Sequence, residues 1–222
     1  MYYSDIHNYD VANGPGVRVT IFASGCRGPF KGCKIRHCSE CFNGVAWKFD
    51  NGKEFTNETL ESIMQMMSFQ YITGLTLLGG EPMEPENQQG LLTLVTEARK
   101  RFPEKDIWLF TGMLLDKDIF EMYDNNVTTK KLLDQIDVIV DGPFLLPFKD
   151  ASLIFKGSRN QRTIDLQKSL KTRNIELLDK YNDNLLPNDI IYDIYENYMK
   201  ENDSDDKPSE IDYSKYENYI IK

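Results

Sequence analysis

All four cysteines of the chain, Cys26, Cys33, Cys38 and Cys41, fall in one stretch, FASGCRGPFKGCKIRHCSECFN, between Phe22 and Asn43. Thiolates gathered in this way support three chemistries. Four of them match a structural zinc site in number, although such sites use two Cys-x-x-Cys pairs and only Cys38 and Cys41 form one here. The same pair could act as a redox dithiol, with two spare thiols beside it inviting mispairing. The third reading is an iron–sulfur cluster. Three thiolates on a four-iron cluster leave one iron open to a ligand, whereas a fourth closes the site and makes an electron carrier.

The segments that must position this loop alternate between strand and helix patterns. VRVTIFAS (17–24) is alternating and β-branched, while ITGLTLLGG (72–80), KDIWLFTG (105–112) and DVIVDG (137–142) are short apolar strands that end at glycine. Between them, 56–70, 84–102, 114–123 and 129–136 carry helical spacing, the first with Thr56 or Asn57 as its cap. The alternation predicts an α/β fold: a curved, mainly parallel sheet of about five or six strands with helices outside and right-handed crossovers. Ligands of such sheets bind at the C-terminal ends of the strands. The ends SGC, LGGEP, FTG and VDGPF are therefore expected on one edge. Gly79 and Gly80 let backbone come close to a ligand, and Glu81 offers a carboxylate to a cationic ammonium group. A cysteine at one strand end beside Gly-Gly-Glu-Pro at the next points to a small-molecule site.

Composition sets the bounds. The net charge is −9, and residues 176–222 hold 13 Asp/Glu against 5 Lys/Arg. A near-neutral body (1–178) with an acidic extension (179–222) is expected, and an acidic protein is a poor partner for nucleic acid. Within the extension, NDIIYDIYENYMKE reads as a helix with Tyr and Ile at 3–4 spacing, and NDSDDKPSE as disordered. No apolar run is long enough to span a membrane, and the polar start MYYSDIHNYD lacks the pattern of a secretory signal. A cytoplasmic location without structural disulfides follows as the expectation.

The stretches NGPGVRVTIFASGC, CSECFNGVAWKF, GLTLLGGEPMEPEN, KDIWLFTG, IDVIVDGPF and FKGSRNQRTIDLQKSL, from Asn13 to Leu170, together carry a resemblance. The chain resembles the radical S-adenosylmethionine (SAM) activating enzymes of anaerobic, class III ribonucleotide reductase. The resemblance implies a partial (β/α) barrel of the radical SAM type. It implies a 4Fe-4S cluster with one open iron that binds the amino and carboxylate groups of SAM. It also implies reductive cleavage of SAM to methionine and a 5′-deoxyadenosyl radical, which takes a hydrogen atom from a glycine of the reductase catalytic subunit. An electron donor such as flavodoxin or ferredoxin belongs to this reading; no nucleic acid or membrane does.

On the family pattern, Cys26, Cys38 and Cys41 are the cluster ligands, with Cys33 the rival or spare. The family loop reads Cys-x3-Cys-x2-Cys, but eleven residues separate Cys26 from Cys38 here. A loop about four times longer costs only about 1 kcal/mol more to close. The insert 27–37, basic at Arg27, Lys31, Lys34 and Arg36, is expected to touch the partner or cover the cluster. Glu40, Cys41 and Phe42 are expected to face the SAM adenine, Gly79, Gly80 and Glu81 its amino group, and Thr111 and Asp141 its sugar or methionine end. Arg18 and Arg162 read as solvated surface, Trp47 and Trp108 as packing, and Met64, Met66 and Met67 as core. Two alternatives stand beside this reading. One is a radical SAM enzyme with a small-molecule substrate, of the 7-carboxy-7-deazaguanine synthase kind. The other is a zinc-stabilised interaction module.

Overall fold

The computed structural model describes residues 1–27, 41, 44–201 and 213–220. Cys33, Cys38, Glu40, Phe42 and residues 28–37 of the insert lie outside the described residues. The strands are β1 (Tyr2–Asp10), β2 (Val17–Ala23), β3 (Lys53–Glu54), β4 (Ile72–Gly79), β5 (Asp106–Phe110), β6 (Val138–Asp141) and β7 (Arg162–Asp165). They form one sheet in the order β3-β1-β2-β4-β5-β6-β7. The central four, β2, β4, β5 and β6, run parallel, and β1, β3 and β7 pair antiparallel at the flanks. The sheet is mixed with a parallel centre, and it does not close.

The strands of the parallel centre are covered on both faces, one apolar and the other carrying buried Arg18, Thr20 and Thr76 beside Trp108. Leu75, Leu77, Ile107, Leu109, Ile139 and Val140 are all buried. The helices that cover it are α1 (Asn57–Met67), α2 (Pro85–Arg101), α3 (Phe120–Asn125), α4 (Val127–Leu133), α5 (Leu166–Thr172) and α6 (Asn188–Glu201). Thr56 caps α1, accepting the Thr59 N–H at 3.3 Å. Pro85 opens α2, where its missing N–H costs nothing, and Arg99, Lys100 and Arg101 close it at the negative end of the helix dipole. Met64 and Met67 are buried in the main core with Ile63, Leu91 and Leu94, and Met66 packs against it.

Three features depart from expectation. The sheet has seven strands, because β1, β3 and β7 add antiparallel edges to the predicted set. The segment 114–123 is broken into a π-helical turn at Leu115–Ile119 followed by α3. The Leu114 N–H is taken by Asp118 at 2.9 Å and the Leu115 N–H by Asp141 at 2.8 Å, so side chains replace the first helical partners. Arg18 and Arg162 are not surface residues; both are fully buried. Arg18 donates to Thr76 Oγ1 at 2.7 Å and the Leu75 carbonyl at 2.9 Å and pairs with Asp106 at 2.6 Å.

The described part of the acidic extension packs on the body. Leu186, Ile191, Ile194, Tyr195 and Tyr216 share a buried cluster with Leu114, Leu145 and Phe148. Among the described residues, no helix is long and apolar enough to cross a membrane.

Candidate functional site

The four marked strand ends meet at one cavity of about 410 Å³. β2 contributes Phe22 and the following Cys26, β4 contributes Leu78 and Gly79 and continues into Gly80 and Glu81, and β5 contributes Phe110 before Thr111 and Gly112. Gly142 marks the end of β6. Cys41 and Trp47 close one side, and Phe144, Phe155, Lys156 and Gln161 line the other. Cys26 and Cys41, the two described cysteines, are both half-buried and both line this cavity.

Cys26 is held from both neighbours. Its N–H donates to the Trp47 carbonyl at 3.1 Å, and the Gly25 N–H donates to the Ala46 carbonyl at 2.7 Å. The Gly25 carbonyl accepts the Glu81 N–H at 2.9 Å. Gly25 has φ +99, a conformation that side-chain-bearing residues avoid. One residue on, the Arg27 backbone N–H meets Glu84 Oε1 at 2.5 Å and its guanidinium meets Glu84 Oε2 at 2.8 Å and Glu86 Oε2 at 2.9 Å. The same guanidinium lies over the Phe49 ring, 4.3 Å from its centroid.

Gly80 has a reason to be glycine besides the expected approach to a ligand. A Cβ there would lie 2.4 Å from the Gly25 carbonyl oxygen and 2.9 Å from that of Ala46. The close neighbour is the backbone that presents Cys26. Gly80→Ala is therefore expected to destabilise the fold by about 1–3 kcal/mol, the range for overpacking. It is also expected to lower iron content after anaerobic reconstitution. Calorimetry and an iron assay check this; two unchanged values would mean that the backbone yields without consequence.

Glu81 is almost fully buried and lines the cavity. Its carboxyl accepts from the Thr111 hydroxyl at 2.8 Å, the Gly112 N–H at 2.9 Å and the Met83 N–H at 2.9 Å. Burial pushes its pKa up to about 7 despite these donors, and the nearby Glu84 adds to the rise. A buried carboxyl of this kind gains by meeting a cation. Lys156 is its counterpart. Burial pulls its ammonium down to about 8 against the pull of Asp141 and Asp183, and its Nζ donates to Asn182 Oδ1 at 3.0 Å. Among the described residues of the lining, Lys156 is the one basic side chain and Glu81 the one acidic.

Of the predicted site residues, the structure brings together Cys26, Cys41, Gly79, Gly80, Glu81 and Thr111. Asp141 is placed otherwise. It ends β6 but is fully buried, and it is absent from the described lining; both its oxygens accept from Arg162, at 2.9 and 2.6 Å, and one also takes the Leu115 N–H. Trp47 lines the cavity rather than only packing. Phe144, Phe155, Lys156 and Gln161 escaped the sequence reading. Their one signal was that FKGSRNQR stands beside VDGPF once β7 folds back antiparallel on β6.

A family described as a 4Fe-4S single cluster domain matches residues 12–164. The anaerobic ribonucleoside-triphosphate reductase-activating protein of enterobacteria phage T4 is 38% identical over 164 residues, 73% of this chain and 92% of the relative. The protein of the same name from Escherichia coli K12 is 36% identical over 163 residues, covering 72% and 96%. That of Vibrio cholerae is 37% identical over 163 residues, again 72% and 96%. No solved structure matches.

Proposed function

This chain belongs to the 4Fe-4S family of anaerobic ribonucleoside-triphosphate reductase-activating proteins, and on that premise we propose that it is a radical SAM activase acting on the reductase catalytic subunit. The observation that carries the reading is that Cys26 and Cys41 line the same cavity as Gly79, Gly80 and Glu81. Half-buried thiols converging on a cavity suit an iron–sulfur cluster, and the 4Fe-4S family match sets the zinc module aside.

Cys26, Cys38 and Cys41 hold the cluster in this reading, with Cys33 spare and one iron open. When bound, the cluster supplies the electron that cleaves SAM and so yields the radical that the reductase glycine receives. The chain's own residues do the rest. Glu81 accepts an N–H of the SAM amino group, whose lone pair is left for the open iron. Lys156 and Glu81 together give the cavity one cationic donor for the SAM carboxylate and one acceptor for its amino group. Phe22, Trp47, Phe110, Phe144 and Phe155 exclude water from a reactive species. The unclosed sheet serves as a partial barrel, and its open edge admits the glycine-bearing segment of the reductase. A small electron carrier of the flavodoxin or ferredoxin class is the donor.

The test is anaerobic incubation of the reconstituted protein with SAM, a reductant and the cognate reductase, followed by electron paramagnetic resonance. The expected result is a glycyl radical on the reductase that requires all three additions. SAM cleavage without any radical on the reductase would point instead to a small-molecule substrate.

A further inference from the structure

The family match ends at residue 164, yet the chain beyond it reaches the cavity wall through a connected set of bonds. Tyr192 of α6 donates its hydroxyl to Asp116 Oδ2 at 2.5 Å, and Tyr195 donates to Asp118 Oδ2 at 2.6 Å. Each acid holds a strand end. Asp118 accepts the Leu114 N–H. Asp116 shares Arg162 Nη2 with Asp141, at 2.8 and 2.6 Å, and Asp141 accepts the Leu115 N–H. Gly142, next to Asp141, donates to the Met113 carbonyl at 3.0 Å and accepts from Gln161 Nε2 at 3.1 Å. Thr111, Gly112, Gly142 and Gln161 are cavity lining.

The packing runs the same way. The segment 144–157 has two faces. Phe144, Leu153, Phe155 and Lys156 line the cavity, while Leu145 and Phe148 are buried against Leu186, Ile191, Ile194, Tyr195 and Tyr216. Arg159 fastens the two layers. Its N–H donates to the Phe148 carbonyl at 2.9 Å, its carbonyl accepts the Leu186 N–H at 3.0 Å, and its guanidinium donates to the carbonyls of Asn184 and Tyr219 at 2.8 and 2.9 Å.

We propose that the described part of the segment after residue 184 is a brace for the ligand cavity: Tyr192 and Tyr195 are positioning residues that fix the loop after β5 and the β6 end through Asp116, Asp118 and Arg162, and the apolar side of the segment backs the 144–157 wall. On this reading the extension is required for full SAM binding. A phenol donating to a carboxylate is a charge-assisted bond, and losing it leaves a largely buried acid short of a donor. The strand ends then gain freedom where the ligand must be held.

The binding half of this inference rests on the cavity being the SAM site; the positioning half does not. The test is Tyr192→Phe with Tyr195→Phe, which keeps both rings and removes only the hydroxyls. Hydrogen–deuterium exchange of the cluster-free protein is read at 111–119 and at 142 against β4 and α2 as internal standards. Exchange is expected to rise about tenfold at the former alone, the size of one lost charge-assisted bond. In the reconstituted protein the KM for SAM in partner-free cleavage is expected to rise by a similar factor of about ten with kcat within about twofold, the pattern of lost binding. Unchanged exchange at 111–119, or a uniform rise across the sheet with KM unaltered, overturns the brace and leaves the extension a source of stability only. If the unsubstituted protein fails to cleave SAM, the functional reading falls, while the exchange result still decides the brace.

Discussion

Serine at Cys26 or at Cys41 is expected to abolish iron retention and to lower SAM cleavage at least about a hundredfold, because on the proposed assignment two thiolates would be left to hold a four-iron cluster. Cys38→Ser is expected to do the same, and Cys33→Ser to retain iron and cleavage. The argument for Cys26 rests on its seat. The bonds from Gly25 and Cys26 to Ala46 and Trp47, and from Glu81 to Gly25, hold it at the end of β2 on the cavity that Cys41 also lines. A ligand fixed on both sides needs no rearrangement to bind iron. Iron and sulfide determination after anaerobic reconstitution checks all four variants. Iron kept in Cys26→Ser and lost in Cys33→Ser would reverse the assignment.

Arg162→Met costs about 3–5 kcal/mol, the loss found when one partner of a buried pair is removed. Arg162 is fully buried and serves Asp141, also fully buried, through two bonds, and Asp116 through a third. Without the guanidinium the fully buried Asp141 loses the cation bonded to it and the half-buried Asp116 loses one of its donors. For a chain of this size that loss lowers the melting temperature by about 10 °C. Asp141→Asn in the Arg162→Met background should restore part of the deficit, since it removes the more buried stranded charge. Thermal unfolding of the cluster-free single and double variants is the measurement. A single variant within about 1 kcal/mol of the parent would show that the pair is no more than a surface bridge in energy.

The centre of the fold was open to reading because it is written locally. β4, β5 and β6 are runs buried on both faces, each ending at a glycine within its own few letters. From that followed the shared edge and Gly79, Gly80, Glu81 and Thr111 at the cavity, while Cys26 and Cys41 came from the cysteine loop. What was hidden depends on partners distant in the chain. β1 is largely exposed and polar, and only its pairing with β2 makes it a strand. Arg18 and Arg162 look like surface arginines until Asp106 and Asp141, far along the chain, are brought to them. Asp141 occupies a ligand-facing position by sequence, and its burial against Arg162 withdraws it. The helical stripe of Ile191, Tyr192, Ile194 and Tyr195 was visible, but an acidic composition said nothing of Leu145 and Phe148, the surface that receives it. Positions 28–40 and 42–43 lie outside the described residues, so Cys33, Cys38, Glu40 and Phe42 stand as the family pattern places them.

The grip of Glu84 and Glu86 on Arg27 bears on how this loop can be altered. An insertion next to a metal ligand ordinarily transmits every change of length to that ligand. Here the residue immediately after Cys26 is moored to the first turn of α2 by a two-carboxylate fork and lies over Phe49. Length and composition changes downstream of the mooring are thereby mechanically insulated from Cys26. That insulation belongs to the Cys26 end alone: in the family pattern Cys38 closes the other end, so a label placed after Arg27 is expected to spare the seat of Cys26 and to act on the centre through Cys38.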